Sequence, residues 1–199
     1  MKKLTIIITL ILTIISMTIP PFSLAVSPSK KTFNGIIRLE DMSGNFFCSA
    51  FVVNNKIAYT AAHCIFNDTF WVVSSDRKHK VISHLHKMNE RRDLATITGD
   101  FSLFEKLKID TSPEGDVIHQ NINNMKSCGY PYGSTFICYN ISSLKKLGFA
   151  LSGIGQLYSG MSGGPLMKDG IVYGVNHAVS NIDELILFQP LIGSESLME

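Results

Sequence analysis

Apolar and β-branched residues along this chain fall into short runs, separated at nearly even intervals by turn-forming residues. The runs cover 35–39, 46–53, 57–61, 69–73, 80–85 and 94–98 in one half, and 116–119, 135–139, 149–154, 165–168, 171–175 and 185–189 in the other. Ser43-Gly44-Asn45, Asn54-Asn55 and Asp76-Arg77-Lys78 punctuate the first set. Little recurs with a helical period, so about a dozen strands predict an all-β fold. Asp100 to Gly115, with a charged middle and a Ser112-Pro113-Glu114-Gly115 close, reads as a linker near the midpoint. The expected architecture is two antiparallel β-barrels, the first about 30–100 and the second about 112–199.

Two turns make sharper predictions. A hairpin on Asn54-Asn55 sets Cys48 roughly opposite Ala61, a few residues short of Cys64. Cys128 and Cys138 are equidistant from Gly133, so a hairpin centred there sets them facing each other. Spacing alone leaves three pairings for four cysteines. The hairpins favour Cys48–Cys64 and Cys128–Cys138.

The N-terminus follows a different pattern. Lys2-Lys3 precede an apolar run from Leu4 to Ile19, then Pro20-Pro21 and Ser23-Leu24-Ala25, which is the order of a secretory signal cleaved after Ala25. The run is short for a membrane span, so no stable anchor is expected. Removing 25 of the 199 residues leaves 174, residues 26–199, and takes away Lys2 and Lys3. Of the 18 Lys+Arg, 16 then remain, matching 16 Asp+Glu. A neutral mature chain carries no basic patch for nucleic acid. An even cysteine count in an exported chain reads as disulfides, and the location expected is secreted or periplasmic. There is no Cys-x-x-Cys and no tight His/Cys cluster, so no metal is expected. His79, His84 and His86 lack acidic partners and read as a polar strand face. Trp71 reads as core, and Phe188 to Leu191 as a tail packing on the second barrel.

Three segments carry chemistry: Thr60-Ala61-Ala62-His63-Cys64, Arg92-Asp93-Leu94-Ala95 and Gly160-Met161-Ser162-Gly163-Gly164-Pro165. A serine hydroxyl needs an adjacent base and backbone N–H groups aimed at the developing oxyanion. Glycines on both sides of Ser162 permit that turn, with the N–H groups of Gly160 and Ser162 forming the oxyanion hole. His63, pinned by a cysteine and flanked by alanines, is the candidate base. Asp93, at a strand start, is the candidate carboxylate that orients it, ahead of Asp68, Asp76 and Asp100.

In the order His, Asp, Ser, these segments resemble the chymotrypsin-like (trypsin-fold) serine peptidases, whose markers are Thr-Ala-Ala-His-Cys, Asp-Leu/Ile-Ala and Gly-x-Ser-Gly-Gly-Pro. The resemblance spans nearly the whole mature chain. It implies a double barrel with the active site in the cleft, catalytic His63, Asp93 and Ser162, and a bridge from the cysteine beside the histidine to the preceding strand. Gly129-Tyr130-Pro131-Tyr132-Gly133 is similar to the bacterial glutamyl-endopeptidase branch. By resemblance Gln156, six residues before Ser162, lies at the base of the substrate pocket, and Asn176, His177 and Ala178 line its wall. Met161 replaces the aspartate that switches on animal zymogens, so activation of that kind is not expected. An uncharged Gln156 argues against cleavage after Arg or Lys. Only 34 residues follow Pro165, too few for the peptide-binding domain of envelope quality-control peptidases.

The resulting expectation is a monomeric exported endopeptidase acting on polypeptides, with no metal or organic cofactor. The alternative is a catalytically silent binding or adhesion protein on the same fold.

Overall fold

A computed structural model describes residues 34–111, 122–179, 185–191 and 193–198. The expected signal peptide, 1–25, and the expected strand 116–119 lie outside these residues. Strands β1 (Ile36–Glu40), β2 (Phe46–Val52), β3 (Ile57–Thr60), β4 (Thr69–Val73), β5 (Lys80–Asn89) and β6 (Leu94–Thr98) close into a barrel in the order β1-β2-β3-β6-β5-β4. The second lobe uses β7 (Lys108–Ile109), β8 (Lys126–Gly129), β9 (Ile137–Asn140), β10 (Ser143–Leu147), β11 (Ala150–Ile154), β12 (Pro165–Lys168), β13 (Ile171–Val179) and β14 (Leu185–Pro190). Its sheet runs β10-β11-β14-β13-β12-β8-β9, with β7 added parallel to β13. The all-β, two-lobed architecture expected from the run pattern is therefore present. No described helix is long and apolar enough to cross a membrane.

The run pattern missed β7, β8 and β10; β8 has four residues, Lys-Ser-Cys-Gly, with no branched apolar side chain among them. β7 has two residues. β10, Ser-Leu-Lys-Lys-Leu, ends the described ladder of its sheet and exposes Lys145 and Lys146 to water. Charge on an edge strand blocks further strand addition, and it also erases the apolar signature.

β1 is buried along its whole length although two of its five residues are charged. Arg38 pairs with Glu40 at 3.2 Å and donates from Nη1 to the carbonyl of Gly133 at 2.6 Å. Its guanidinium also stacks over Phe46, 4.6 Å from the ring centroid. Burying such a pair is tolerable only because its donors are satisfied, and here those bonds tie the barrel to the second lobe. The Tyr130 hydroxyl adds a bond to the Ile36 carbonyl at 2.7 Å. The hydrophobic core is correspondingly continuous across the lobes: Phe51, Tyr59 and Leu94 share one cluster with Tyr130, Val172 and Val175.

Both cysteine pairs form as the hairpins favoured. Cys48–Cys64 has a Cα separation of 6.0 Å, and Cys128–Cys138 one of 4.1 Å across directly paired positions. The β2–β3 register differs by one residue from a turn on Asn54-Asn55, because Val52 pairs with Ala58 and Phe51 with Tyr59. The Asn54 side chain accepts from the N–H groups of Lys56 and Ile57, both at 2.8 Å, and this widens the turn. Trp71 is half-buried under Lys80 (4.7 Å) rather than in the core. Phe188 to Pro190 are not a tail but part of β14, between β11 and β13. The residues beyond return to the first barrel, where Tyr59 Oη donates to the Ser194 carbonyl at 3.0 Å and Thr96 Oγ1 to that of Leu197 at 2.9 Å.

Replacing Cys48 and Cys64 together by alanine is expected to lower stability by about 2–4 kcal/mol, measured as a lower urea midpoint. An unchanged midpoint would mean that the bridge constrains nothing that packing does not already fix.

Candidate active site

The site begins with a residue in an uncommon backbone conformation. Asp93 has φ 48° and ψ 42°, the left-handed region, and caps the 3-10 turn Glu90–Arg92. Its N–H donates to the Glu90 carbonyl at 3.0 Å, and its own carbonyl accepts from Ala62 N–H at 3.1 Å. A non-glycine residue held this way costs of order 1–3 kcal/mol and persists where its surroundings over-determine it. Asp93 Oδ1 accepts the backbone N–H of His63 at 2.8 Å, while Oδ2 accepts His63 Nδ1 at 2.8 Å. One carboxylate thus fixes both the peptide and the ring of His63, which sits in the 3-10 turn Ala62–Cys64 beside the disulfide. The neighbouring arginines point elsewhere: Arg92 Nη2 donates to the Pro190 carbonyl at 2.7 Å, and Arg91 lies over Phe149 at 5.0 Å.

Ser162 stands on the turn between β11 and β12, suspended from both lobes. Its carbonyl accepts the Ser49 N–H at 2.9 Å, and Ser49 Oγ donates to the Gly160 carbonyl at 2.7 Å. Gly160 has φ +90°, and a Cβ there would meet the Tyr130 carbonyl oxygen at 2.7 Å. Gly163 has φ +79°, and a Cβ there would overlap Thr60 Oγ1 and the Ser49 carbonyl. Glycine is required at both positions. Neither Gly160 nor Ser162 donates its N–H to a described backbone carbonyl. Two N–H groups left open on one tight turn suit an oxyanion. No described hydrogen bond joins Ser162 Oγ to His63; without substrate such bonds are often long.

Asn176 is not on the pocket wall where resemblance put it. Its side chain is wholly buried: Nδ2 donates to the carbonyls of Cys128 (2.9 Å) and Met161 (3.0 Å), and Oδ1 accepts Ser127 Oγ at 3.0 Å. It is a strut beneath the Ser162 turn. The β13–β14 register jumps here, Asn176 facing Phe188 and Ala178 facing Leu187, so His177 is the extra residue of a bulge. A bulge re-aims a side chain. His177 reaches across the cleft, and its Nδ1 bonds to Asp93 Oδ2, the same oxygen that holds His63. The two rings stand edge to face, 6.0 Å between centroids. Gln156 and Ala178 are half-buried.

Burial alone would raise the Asp93 pKa. The hydrogen bonds from His177, then His63, outweigh it and hold the carboxyl well below the usual range. An ionised carboxylate only accepts, so both imidazoles carry their proton on Nδ1.

Sequence reasoning missed two residues. Ser49 gave only a faint signal, a small polar residue in an otherwise apolar strand. The contact between His177 and Asp93 gave none, since 84 residues separate them and a bulge decides the direction.

No protein-family model matches the sequence, and no curated protein matches it. Solved structures do. The inactive form of the Rv3671c protease of M. tuberculosis is 17% identical, with 86% of this chain and 93% of that chain covered and a TM-score of 0.65. For the serine endoprotease from Yersinia pestis the values are 17%, 87%, 66% and 0.70. For the HtrA-type protease AlgW with decapeptide they are 16%, 80%, 62% and 0.63. The chain spans less than two thirds of the length of the last two. At these identities the likeness is one of fold, and the fold is that of chymotrypsin-like serine peptidases.

Two measurements follow from the struts and the carboxylate. Asn176→Leu removes three buried hydrogen bonds, to Ser127 and to the carbonyls of Cys128 and Met161, of which the Met161 carbonyl keeps the Gly164 N–H, and is expected to cost roughly 2–4 kcal/mol; a change below about 1 kcal/mol in urea unfolding would remove its role as a strut. The Asp93 pKa is lower folded than unfolded (about 3.9), so its stabilisation is complete above about pH 5 and fades as pH falls below 4. The stability gap between the unmodified chain and Asp93→Asn should therefore shrink on acidification below pH 4; a gap independent of pH would contradict it.

Proposed function

We propose that this chain is an exported serine endopeptidase in which Ser162, His63 and Asp93 carry out acyl transfer. The observation that supports this most is the grip of Asp93 on His63, through its peptide N–H and its Nδ1 at once, in a serine-peptidase fold that also carries a glycine-bounded serine. With Nδ1 donating to Asp93, the lone pair of His63 is on Nε2, where a general base for Ser162 needs it. Ser162 Oγ attacks the scissile carbonyl while His63 Nε2 takes its proton, and Asp93 stabilises the imidazolium. The N–H groups of Gly160 and Ser162 receive the oxyanion. His63 returns the proton to the leaving amine, and water, deprotonated by the same nitrogen, releases the acyl group. Every step is proton transfer or addition–elimination at carbon, so it requires no metal or organic cofactor.

The substrate class is polypeptide. Gln156 and Ala178 remain candidates for contact with the residue on the acyl side of the cut, and Asn176 does not, because it is buried. Cleavage of the leader after Ala25 and action as a secreted or periplasmic monomer complete the proposal; two disulfides support an oxidising location.

The test is a fluorophosphonate probe and a mixed peptide library, applied to chain 26–199 and to its variants. The unmodified chain should be labelled and should cut peptides, Ser162→Ala should do neither, and His63→Ala should lose roughly 10⁴–10⁶-fold in kcat. A folded, unlabelled and inert chain would refute the proposal and leave a binding protein on a peptidase fold.

A further inference from the structure

In the cleft, two imidazoles and a carboxylate converge on one point. One ring nitrogen of each histidine and an Asp93 oxygen lie within 4.8 Å of one another, and both Nδ1 atoms bond to Asp93 Oδ2. His63 and His177 keep 45% and 35% of their side-chain surface open, so an ion can reach them from solvent. The one other grouping of potential ligands among the described residues, Cys48, His63 and Cys64, has both sulfurs in a disulfide. Two neutral imidazole nitrogens and one carboxylate oxygen are a donor set that zinc accepts, with water completing a tetrahedron. Bonds of about 2.0–2.2 Å place such donors roughly 3.3–3.5 Å apart. The present bonds to Asp93 would need to open by under about 1.5 Å, at rings that keep part of their surface open to solvent.

We propose that His63, Asp93 and His177 form an inhibitory site for Zn²⁺, which takes Nδ1 of each histidine and one oxygen of Asp93. Each neutral imidazole moves its proton from Nδ1 to Nε2 through solvent, and the metal takes the freed Nδ1 lone pair. For His63 that exchange is decisive. Its Nε2 becomes an N–H donor and has no lone pair with which to accept the Ser162 proton. The metal thus silences the base without touching the serine. The absence of a Cys-x-x-Cys or a local histidine cluster gave the sequence no sign of metal, because these three ligands come from positions 63, 93 and 177 in two lobes. The binding site stands on geometry alone, whereas its inhibitory effect rests on the proposed function.

The first measurement is calorimetric titration of Zn²⁺ into metal-free Ser162→Ala chain 26–199, in parallel with the same chain carrying His177→Gln. One zinc per chain is expected, weakened in His177→Gln by more than the roughly 10–100-fold that loss of an outer partner costs. Zinc should also shift the ring NMR signals of both His63 and His177 in Ser162→Ala, a readout that needs no change at position 177. The second measurement is fluorophosphonate labelling of the unmodified chain, which zinc should suppress and EDTA restore. Equal zinc affinity in His177→Gln, or zinc that leaves both rings unshifted, overturns the site. Zinc bound at both rings with labelling unaffected overturns the inhibition. A metal-free chain that is never labelled but still binds zinc through His177 supports the site and removes the peptidase reading instead.

Discussion

The Asp93 carboxylate is the constraint around which the two lobes are arranged. It accepts the peptide N–H and the ring of His63 from its own barrel and the ring of His177 from the other sheet. Its carbonyl also takes the Ala62 N–H. A residue with φ 48° makes these four contacts only if the 3-10 turn before it and β6 after it are both correctly placed. The strain is set against three bonds made within the barrel and one, from His177, that exists only when the lobes have docked.

The serine turn repeats this economy with neutral groups. Ser49 of β2 and Asn176 of β13 approach it from opposite lobes, both fully buried and both with their polar atoms satisfied. A buried polar network is rigid when complete and costly when any member is lost. Rigidity is what an oxyanion site needs, since donors that must reorganise during reaction give up much of their advantage. Arg38 and Tyr130 add bonds across the same seam, so the cleft has a stiff floor with exposed rings above it.

Much of this was legible in the sequence. The alternation of short runs gave all six barrel strands and β9, β11, β12, β13 and β14 of the second lobe, with β5 and β13 four residues too short, and equal spacing about Gly133 gave the Cys128–Cys138 pair. The three chemical segments were legible because tight turns, a pinned histidine and a strand-start aspartate each need particular residue types locally. What stayed hidden depended on tertiary geometry. β10 is polar and ends the described ladder, and of the two residues expected on the pocket wall Asn176 is buried and His177 reaches Asp93, because a bulge falls between Asn176 and Ala178. Alternation along β13 would have been read either way, since one extra residue reverses which side chain faces the cleft. The expected tail became an interior strand because chain ends are placed by the partners available to them, and β11 and β13 offered two.

The account depends on Asp93 holding two imidazoles through Nδ1 protons. Low-temperature proton NMR of chain 26–199 reads these protons directly, as exchangeable signals shifted far downfield by a carboxylate acceptor. Two such signals are expected near neutral pH, one assigned to His63 and one to His177, with the second lost in His177→Gln. A single signal, belonging to His63 and unaffected by that substitution, would contradict the account.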